Sequence, residues 1–413
     1  MDLSGVKQGF KTLLSRNALL IVAFYILNMY STYFKNGYRS LIVLNEAEQT
    51  ATILGTLISV FLITGLLTRG PAGRAIDKMG DKLKMLVIII SVLKAFSCVL
   101  YRYTTTIATL YISFILDGVV WAFIGVAAPA LLAKSVDKKA MGSAYAIFEG
   151  LMTIITASAR SLGGKFFNDY GNSSRCVWIA FGIQMAAVLL VIFLDGKKLM
   201  QNVAPIKNKI KESKTKKGFL SLFGLSMAAL PFAVMVGSQY FVYNMESNFA
   251  VPYAAEMGLD YVTPATLGGT IYGILGIVMG FVCDFVSPMV LVIIAFVGQA
   301  GAMFVLGSAA TQSVFAAGIL IFYTTRFYLF PLRIVALKEA PSSESGSVMG
   351  TMLFAQDLIS IIAATVLGFF IDKVGYSATF TGLGVWGSLA VVFAIFYAIK
   401  INKRHKLQSS LAD

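Results

Sequence analysis

The chain has 413 residues, 57% of them apolar or aromatic and only 13% charged, with a mean hydropathy of +0.78. Average soluble domains carry about 25% charged residues, so a soluble enzyme, a disordered chain and a nucleic-acid-binding domain are excluded. The formal charge of +14 is then the Lys and Arg excess that a membrane protein keeps in its cytoplasmic loops.

Apolar segments near 20 residues, long enough to cross a hydrocarbon layer of roughly 30 Å, recur along the chain. In order they cover about 17–41, 50–70, 83–103, 107–133, 140–164 and 174–195. Six more cover about 219–249, 262–284, 288–308, 313–337, 346–370 and 376–400. In lipid each segment must satisfy its own backbone, so helices are predicted, and no alternating pattern suggests a barrel. The reading is an all-α polytopic membrane protein with twelve transmembrane helices. The polar stretch 1–16 ahead of the first span lacks the character of a cleaved signal. Cys98, Cys176 and Cys283 have no metal-like spacing, and the single histidine, His405, lies in the tail. No metal, cofactor or catalytic centre is expected.

With the N-terminus inside, the inner segments hold 24 of the 34 Lys and Arg. The outer loops hold Arg39, Arg102, Lys165, Arg175 and Lys373. That bias predicts cytoplasmic termini and an inner (plasma) membrane location. The stretch 195–218, DGKKLMQNVAPIKNKIKESKTKKG, reads as a basic linker with a helix-breaking proline. It predicts two six-helix bundles, 1–195 and 218–413, joined by 196–217. The halves echo each other. NMYS at 28–31 answers NMES at 244–247, and Gly142 leads Glu149 as Gly350 leads Asp357. GGKFFNDYG at 163–171 answers GFFIDKVG at 368–375. Three echoes in one order argue for duplication, the usual construction of a transporter.

Between spans 2 and 3 the sequence reads GRAIDKMGDK at 73–82. This resembles the loop signature of the major facilitator superfamily, G-x-x-x-D-[RK]-x-G-[RK]-[RK]. Gly73, Asp77, Lys78, Gly80 and Lys82 fit, while Asp81 stands where a base is usual. After span 8, Gly280 and Asp284 keep the glycine–aspartate core without the basic residues. The resemblance implies two pseudo-symmetric six-helix bundles rocking about a cavity lined mainly by spans 1, 4, 7 and 10, with Gly73, Asp77, Lys78, Gly80 and Asp284 in the gate. Two departures point away from proton-antiport efflux members: span 4 carries Asp117 and no arginine, and span 5 carries Gly163-Gly164 but no proline.

Ionisable residues within the membrane cost roughly 2.5–3.5 kcal/mol or more each and are functional candidates. The acidic ones are Asp117, Glu149, Glu246 and Asp357; the basic ones are Lys35, Lys94, Arg160, Arg326 and Arg333. Arg326, near the middle of span 10 beside Tyr323, either holds an anion or pairs with Asp357. Lys35 either attracts anions or snorkels outward with Arg39. A carboxylate in a low-dielectric site loads and releases protons readily, so Glu149, Asp117, Asp357 and Glu246 are the proton-coupling candidates. An Asp117–Lys94 salt bridge is the structural alternative. Uncharged candidates for the substrate are Asn28, Tyr33, Trp121, Gln239, Tyr243, Tyr323 and Asn244. Gln239, Tyr243 and Glu246 fall on one helical stripe. The expected function is a secondary transporter of a small solute, leaning to an organic anion, proton-coupled and monomeric, in contact with membrane lipid and with no nucleic-acid partner. Efflux of a lipophilic or cationic compound is the alternative, ahead of a membrane enzyme or sensor. No ATP-binding G-x-x-x-x-G-K-[ST] occurs.

Overall fold

The computed structural model of the chain describes residues 14–79, 82–104, 106–135, 141–194, 227–339 and 345–410. All regular structure among them is helical, as backbone satisfaction in lipid requires. The chain divides into two compact units, Met1–Lys211 and Glu212–Asp413.

In the first unit the helices are α1 (Arg16–Leu41), α2 (Ala51–Met79), α3 (Leu83–Leu100), α4 (Ile107–Ser135), α5 (Met141–Tyr170) and α6 (Ser173–Ile192). The Ser15 hydroxyl caps α1 by accepting the Ala18 amide at 3.4 Å. At its far end α1 continues as a π-helical turn, Ile42–Glu46. Glu46 reaches the start of α6, accepting from the Ser173 amide at 2.5 Å and the Ser173 hydroxyl at 2.7 Å. An anion at a helix N-terminus meets unpaired amides and the positive end of the dipole. α1 packs on α5 and α6, α2 on α4, and α3 on α6 and α4. Ile21, Phe24, Val87, Leu131 and Val191 form an apolar core.

The crossing of α1 and α5 is unusually close. A Cβ at Gly37 would lie 2.0 Å from the Arg160 carbonyl oxygen, and one at Gly163 would lie 2.0 Å from that of Phe34. The backbones touch there because neither residue has a side chain.

The second unit contains α7 (Leu230–Glu256), α8 (Val262–Phe285), α9 (Pro288–Gly307), α10 (Gln312–Thr325), α11 (Leu329–Glu339) and α12 (Ser345–Ser410). α7 and α9 pack on α12, α8 on α10, and α9 on α10. α12 carries both of the last two predicted spans; Gly375, at φ 80° and ψ 173°, breaks it where only glycine is unstrained. α7 and α9 thus repeat the parts of α1 and α3. Phe232, Phe296, Leu332, Val348 and Met352 lie in this unit's core.

Helices fall on all twelve predicted apolar segments. Eight helical stretches among the described residues are long and apolar enough to cross a membrane. Large apolar side chains also face outward, with Leu67 71%, Phe396 66% and Val392 63% exposed. Such a surface suits lipid and not water. Two expectations change. Span 10 is not one helix but α10 and α11 with a 3₁₀ turn, Arg326–Tyr328, between them. The described part of span 7 begins with a 3₁₀ turn at Met227–Ala229. The predicted linker 196–217 lies outside the described residues.

Candidate functional site

The first unit encloses a cluster of charges between α1, α3 and α4. Lys35, fully buried, forms an ion pair with Asp117 Oδ1. Arg39, one turn further along α1, places Nη1 3.6 Å from Asp117 Oδ2. The Arg39 guanidinium lies 5.1 Å from the Phe61 ring centre and 4.8 Å from that of Phe114, and these aromatic faces offset part of its desolvation. Lys35 Nζ is 5.5 Å from the centre of the Tyr101 ring. Lys94 does not pair with Asp117. Its Nζ donates to the Asn28 carbonyl at 3.1 Å, to Asn28 Oδ1 and to Thr32 Oγ1. The Ser97 hydroxyl donates to the Lys94 carbonyl at 2.7 Å and stands 3.5 Å from Asp117 Oδ1. The Lys35 side chain points inward to Asp117 and does not snorkel. Arg39, counted above as an outer-loop cation, is a buried member of the cluster.

In the second unit the 3₁₀ turn decides where Arg326 goes. Its amide bonds to the Tyr323 carbonyl in place of Phe322's. Gln299 of α9 takes up the Phe322 carbonyl that this leaves, with Nε2 at 2.6 Å, and also reaches Thr325 Oγ1 at 2.9 Å. A break in a buried helix needs such a side-chain donor or acceptor. The Arg326 guanidinium lies 4.2 Å from the Tyr243 ring centre and 5.1 Å from that of Tyr272. Among the described residues it has no carboxylate partner; Asp357, half-buried on α12, does not pair with it. Three residues before Arg326, Tyr323 donates its hydroxyl to Glu246 Oε1 at 3.0 Å, and Tyr261 donates to the same oxygen at 2.6 Å. Glu246 is fully buried.

The remaining candidates divide by role in the packing. Asn244 ties α7 to α12, donating to Ser360 Oγ at 3.1 Å and to the Tyr240 carbonyl at 2.7 Å. Gln239 is fully buried, and neither of its amide atoms has a hydrogen-bond partner among the described residues. Half-buried Tyr33 lies under the Arg160 guanidinium at 5.7 Å. Half-buried Trp121 packs on Phe61 at 5.4 Å, with the Arg69 guanidinium 4.8 Å from its ring. Glu149 lies on α5, Gly73, Asp77 and Lys78 in the last turns of α2, and Asp284 at the end of α8; their side chains, and Gly80 altogether, fall outside the described residues. Sequence reasoning missed Gln299 and the part of Arg39. A glutamine inside the apolar run of span 9 was the only signal for the first. No group of three or more His, Cys, Asp or Glu able to hold a metal ion occurs among the described residues.

Comparisons with known proteins give the wider setting. The sequence profile of the Major Facilitator Superfamily matches residues 12–364. Multidrug resistance protein 1 of Bacillus subtilis (strain 168) is 26% identical over 233 residues, which are 56% of this chain and 57% of that protein. The chain therefore matches little more than half the length of that relative. The nucleoside transporter NupG superposes with a TM-score of 0.66 at 13% identity, over 94% of this chain and 99% of that one. A peptide transporter of the POT type, solved in complex with sulfate, gives 0.68 at 12% identity over 93% and 94%. Likeness at these identities is a likeness of fold.

Proposed function

The chain belongs to the Major Facilitator Superfamily, and on that premise we propose that it moves a small organic anion across the plasma membrane, driven by a proton. It is an integral membrane protein and a secondary transporter of a small molecule rather than an enzyme. The observation that supports an anion is Arg326. A half-buried guanidinium with two tyrosine faces against it and no carboxylate partner among the described residues keeps its charge available for a ligand. A planar carboxylate or phosphate is the ligand that such a fork holds by two bonds.

Tyr243, Tyr323 and Gln239, whose amide has no hydrogen-bond partner among the described residues, are the further substrate candidates of the second unit, and Tyr33 and Trp121 are candidates in the first. Glu246, joined through Tyr323 to the helix turn that carries Arg326, is the leading candidate for coupling a proton to the cargo, a reading supported by that hydrogen bond; Glu149 and Asp357 are further coupling candidates. The segment 73–82 and Asp284 serve as gate, the termini are cytoplasmic, and the protein works as a monomer.

The test uses proteoliposomes with an imposed pH gradient and radiolabelled benzoate, lactate, succinate and phosphoenolpyruvate, with ethidium as a cationic comparison. Gradient-driven movement of one of these anions is expected, falling at least tenfold in Arg326→Gln and less in Arg326→Lys. A loss near tenfold corresponds to about 1.4 kcal/mol of binding. Gradient-driven movement of ethidium alone, unchanged in Arg326→Gln, would sink the anion reading. Efflux of a lipophilic cation is the second reading, supported by the buried Glu246 carboxylate among tyrosines and by the name of the Bacillus relative.

A further inference from the structure

We propose that the proton exchanged by the first unit is carried on the amine of Lys94, with the Asn28 amide as a partner that serves both protonation states. The inference rests on the reading of the chain as proton-coupled, and it transfers the role in this unit from a carboxylate to an amine.

Lys94 is 1% exposed, and its three bonded oxygens all belong to α1. The charged and titratable groups that face it are Lys35 and Arg39 from α1, Asp117 from α4 and Cys98 on α3 itself, with the phenols of Tyr38 and Tyr101 beyond them. Those of α6, Arg175 and Cys176, lie in its first turn. In α2 the charged residues begin at Arg69, which is engaged with Trp121.

Charge decides which group exchanges the proton. Among the described residues, three cations share a buried cluster with one carboxylate. A proton added to Asp117 would leave all three without an anion, the costliest arrangement in a low-dielectric site. Asp117 is also occupied on both sides, Oδ1 by Lys35 with Ser97 at 3.5 Å and Oδ2 by Arg39 at 3.6 Å. A proton taken from Lys94 instead removes one uncompensated charge. In each cycle Nζ releases one proton to solvent that reaches the cluster and takes one up again, so protons and charge balance.

Asn28 fits both states of the amine. Its Oδ1 faces Nζ, while its Nδ2, fully buried, has no hydrogen-bond partner among the described residues. An ammonium needs only acceptors, and Asn28 supplies two. An amine presents a lone pair and needs a donor. A half-turn of the Asn28 amide brings Nδ2 to that lone pair with no change in the backbone.

The test needs no substrate. Full-length protein with lysine carrying carbon-13 at Cε is placed in lipid nanodiscs and followed by NMR, where the Cε position separates ammonium from amine. One lysine signal, distinct from those of the solvent-exposed lysines, is expected to change between ammonium and amine over the pH range in which the protein stays folded, and to vanish in Lys94→Arg. Asn28→Asp, which sets a carboxylate against Nζ, should raise the midpoint of that movement by about one pH unit or more. If Lys94→Arg does not fold, the signal whose movement Asn28→Asp displaces identifies Lys94. A Lys94 signal that stays in place across the range, or a moving signal that survives Lys94→Arg, overturns the proposal. Failure of the anions to be transported would leave this measurement untouched, so the two readings fail separately.

Discussion

Asp117 is the carboxylate that answers Lys35 and Arg39, so removing its charge alone should be worse than removing the pair. Asp117→Asn keeps the shape and leaves two buried cations unpaired, at a cost of roughly 3–5 kcal/mol. A clearly lowered melting temperature in detergent is expected. The double change Lys35→Met with Asp117→Leu removes one of those two cations together with the carboxylate, leaves Arg39 against the Phe61 and Phe114 faces, and should regain part of that loss. Asp117→Asn melting with the wild type would show that the pair does not hold the bundle. That Lys35 and not Lys94 takes Asp117 was not legible from spacing. Both lysines sit at plausible depth, and a flexible four-carbon stem reaches a neighbour on either side. The choice depends on the rotation of α3 about its own axis, which places Lys94 against Asn28 and Thr32 on α1.

At the scale of helices, the α1–α5 crossing makes a quantitative expectation. A methyl group at Gly163 would meet the Phe34 carbonyl oxygen at 2.0 Å, and backbone atoms cannot yield as a flexible side chain can. Gly163→Ala should cost about 1–3 kcal/mol through overpacking. Gly182→Ala on α6, with nothing within 4 Å of the added carbon, should be neutral or mildly stabilising by the usual helix preference for alanine. Thermal melting of both variants checks the contrast; equal melting would mean that the crossing relaxes freely. In the sequence the Gly163-Gly164 pair was informative mainly for the proline it lacks, because small residues announce close contact without naming the partner. The helices themselves were readable, since apolar length is a direct demand of the membrane. The break in span 10 was not, because Arg326 disturbs the apolar run no more than a lone charge in a continuous helix would. What permits the break is Gln299 on another helix.

For the whole molecule, the cation bias predicts which side of the membrane each connection faces. A cysteine at Lys207 should resist membrane-impermeant thiol reagents in intact cells, while one at Asn172, the exposed cap of α6, should react. Cys98, Cys176 and Cys283 are buried, so background labelling should be low. The reversed pattern would overturn the orientation. The family was legible for a different reason from the helices. Ten residues at 73–82 carry glycines and charges that neither apolarity nor helix propensity demands, so their pattern identifies a lineage and not merely a solvent.

The single-residue joint at Gly375 has a practical side. At the same end of the second unit, the connections 257–261 and 308–311 are only a few residues long. Gln312 clamps the first of these, its Oε1 accepting from the Asp260 amide at 2.7 Å and its Nε2 donating to the Asp260 carbonyl at 2.9 Å. The Tyr253 hydroxyl lies 3.2 Å from both the Leu306 carbonyl and the Ser377 hydroxyl, knitting three helix ends together. Such a rim offers proteases and antibodies no slack chain to grip. A reporter or affinity tag spliced at Gly375 would have to pry apart two helices that meet at one α-carbon, so fusions belong at the chain termini.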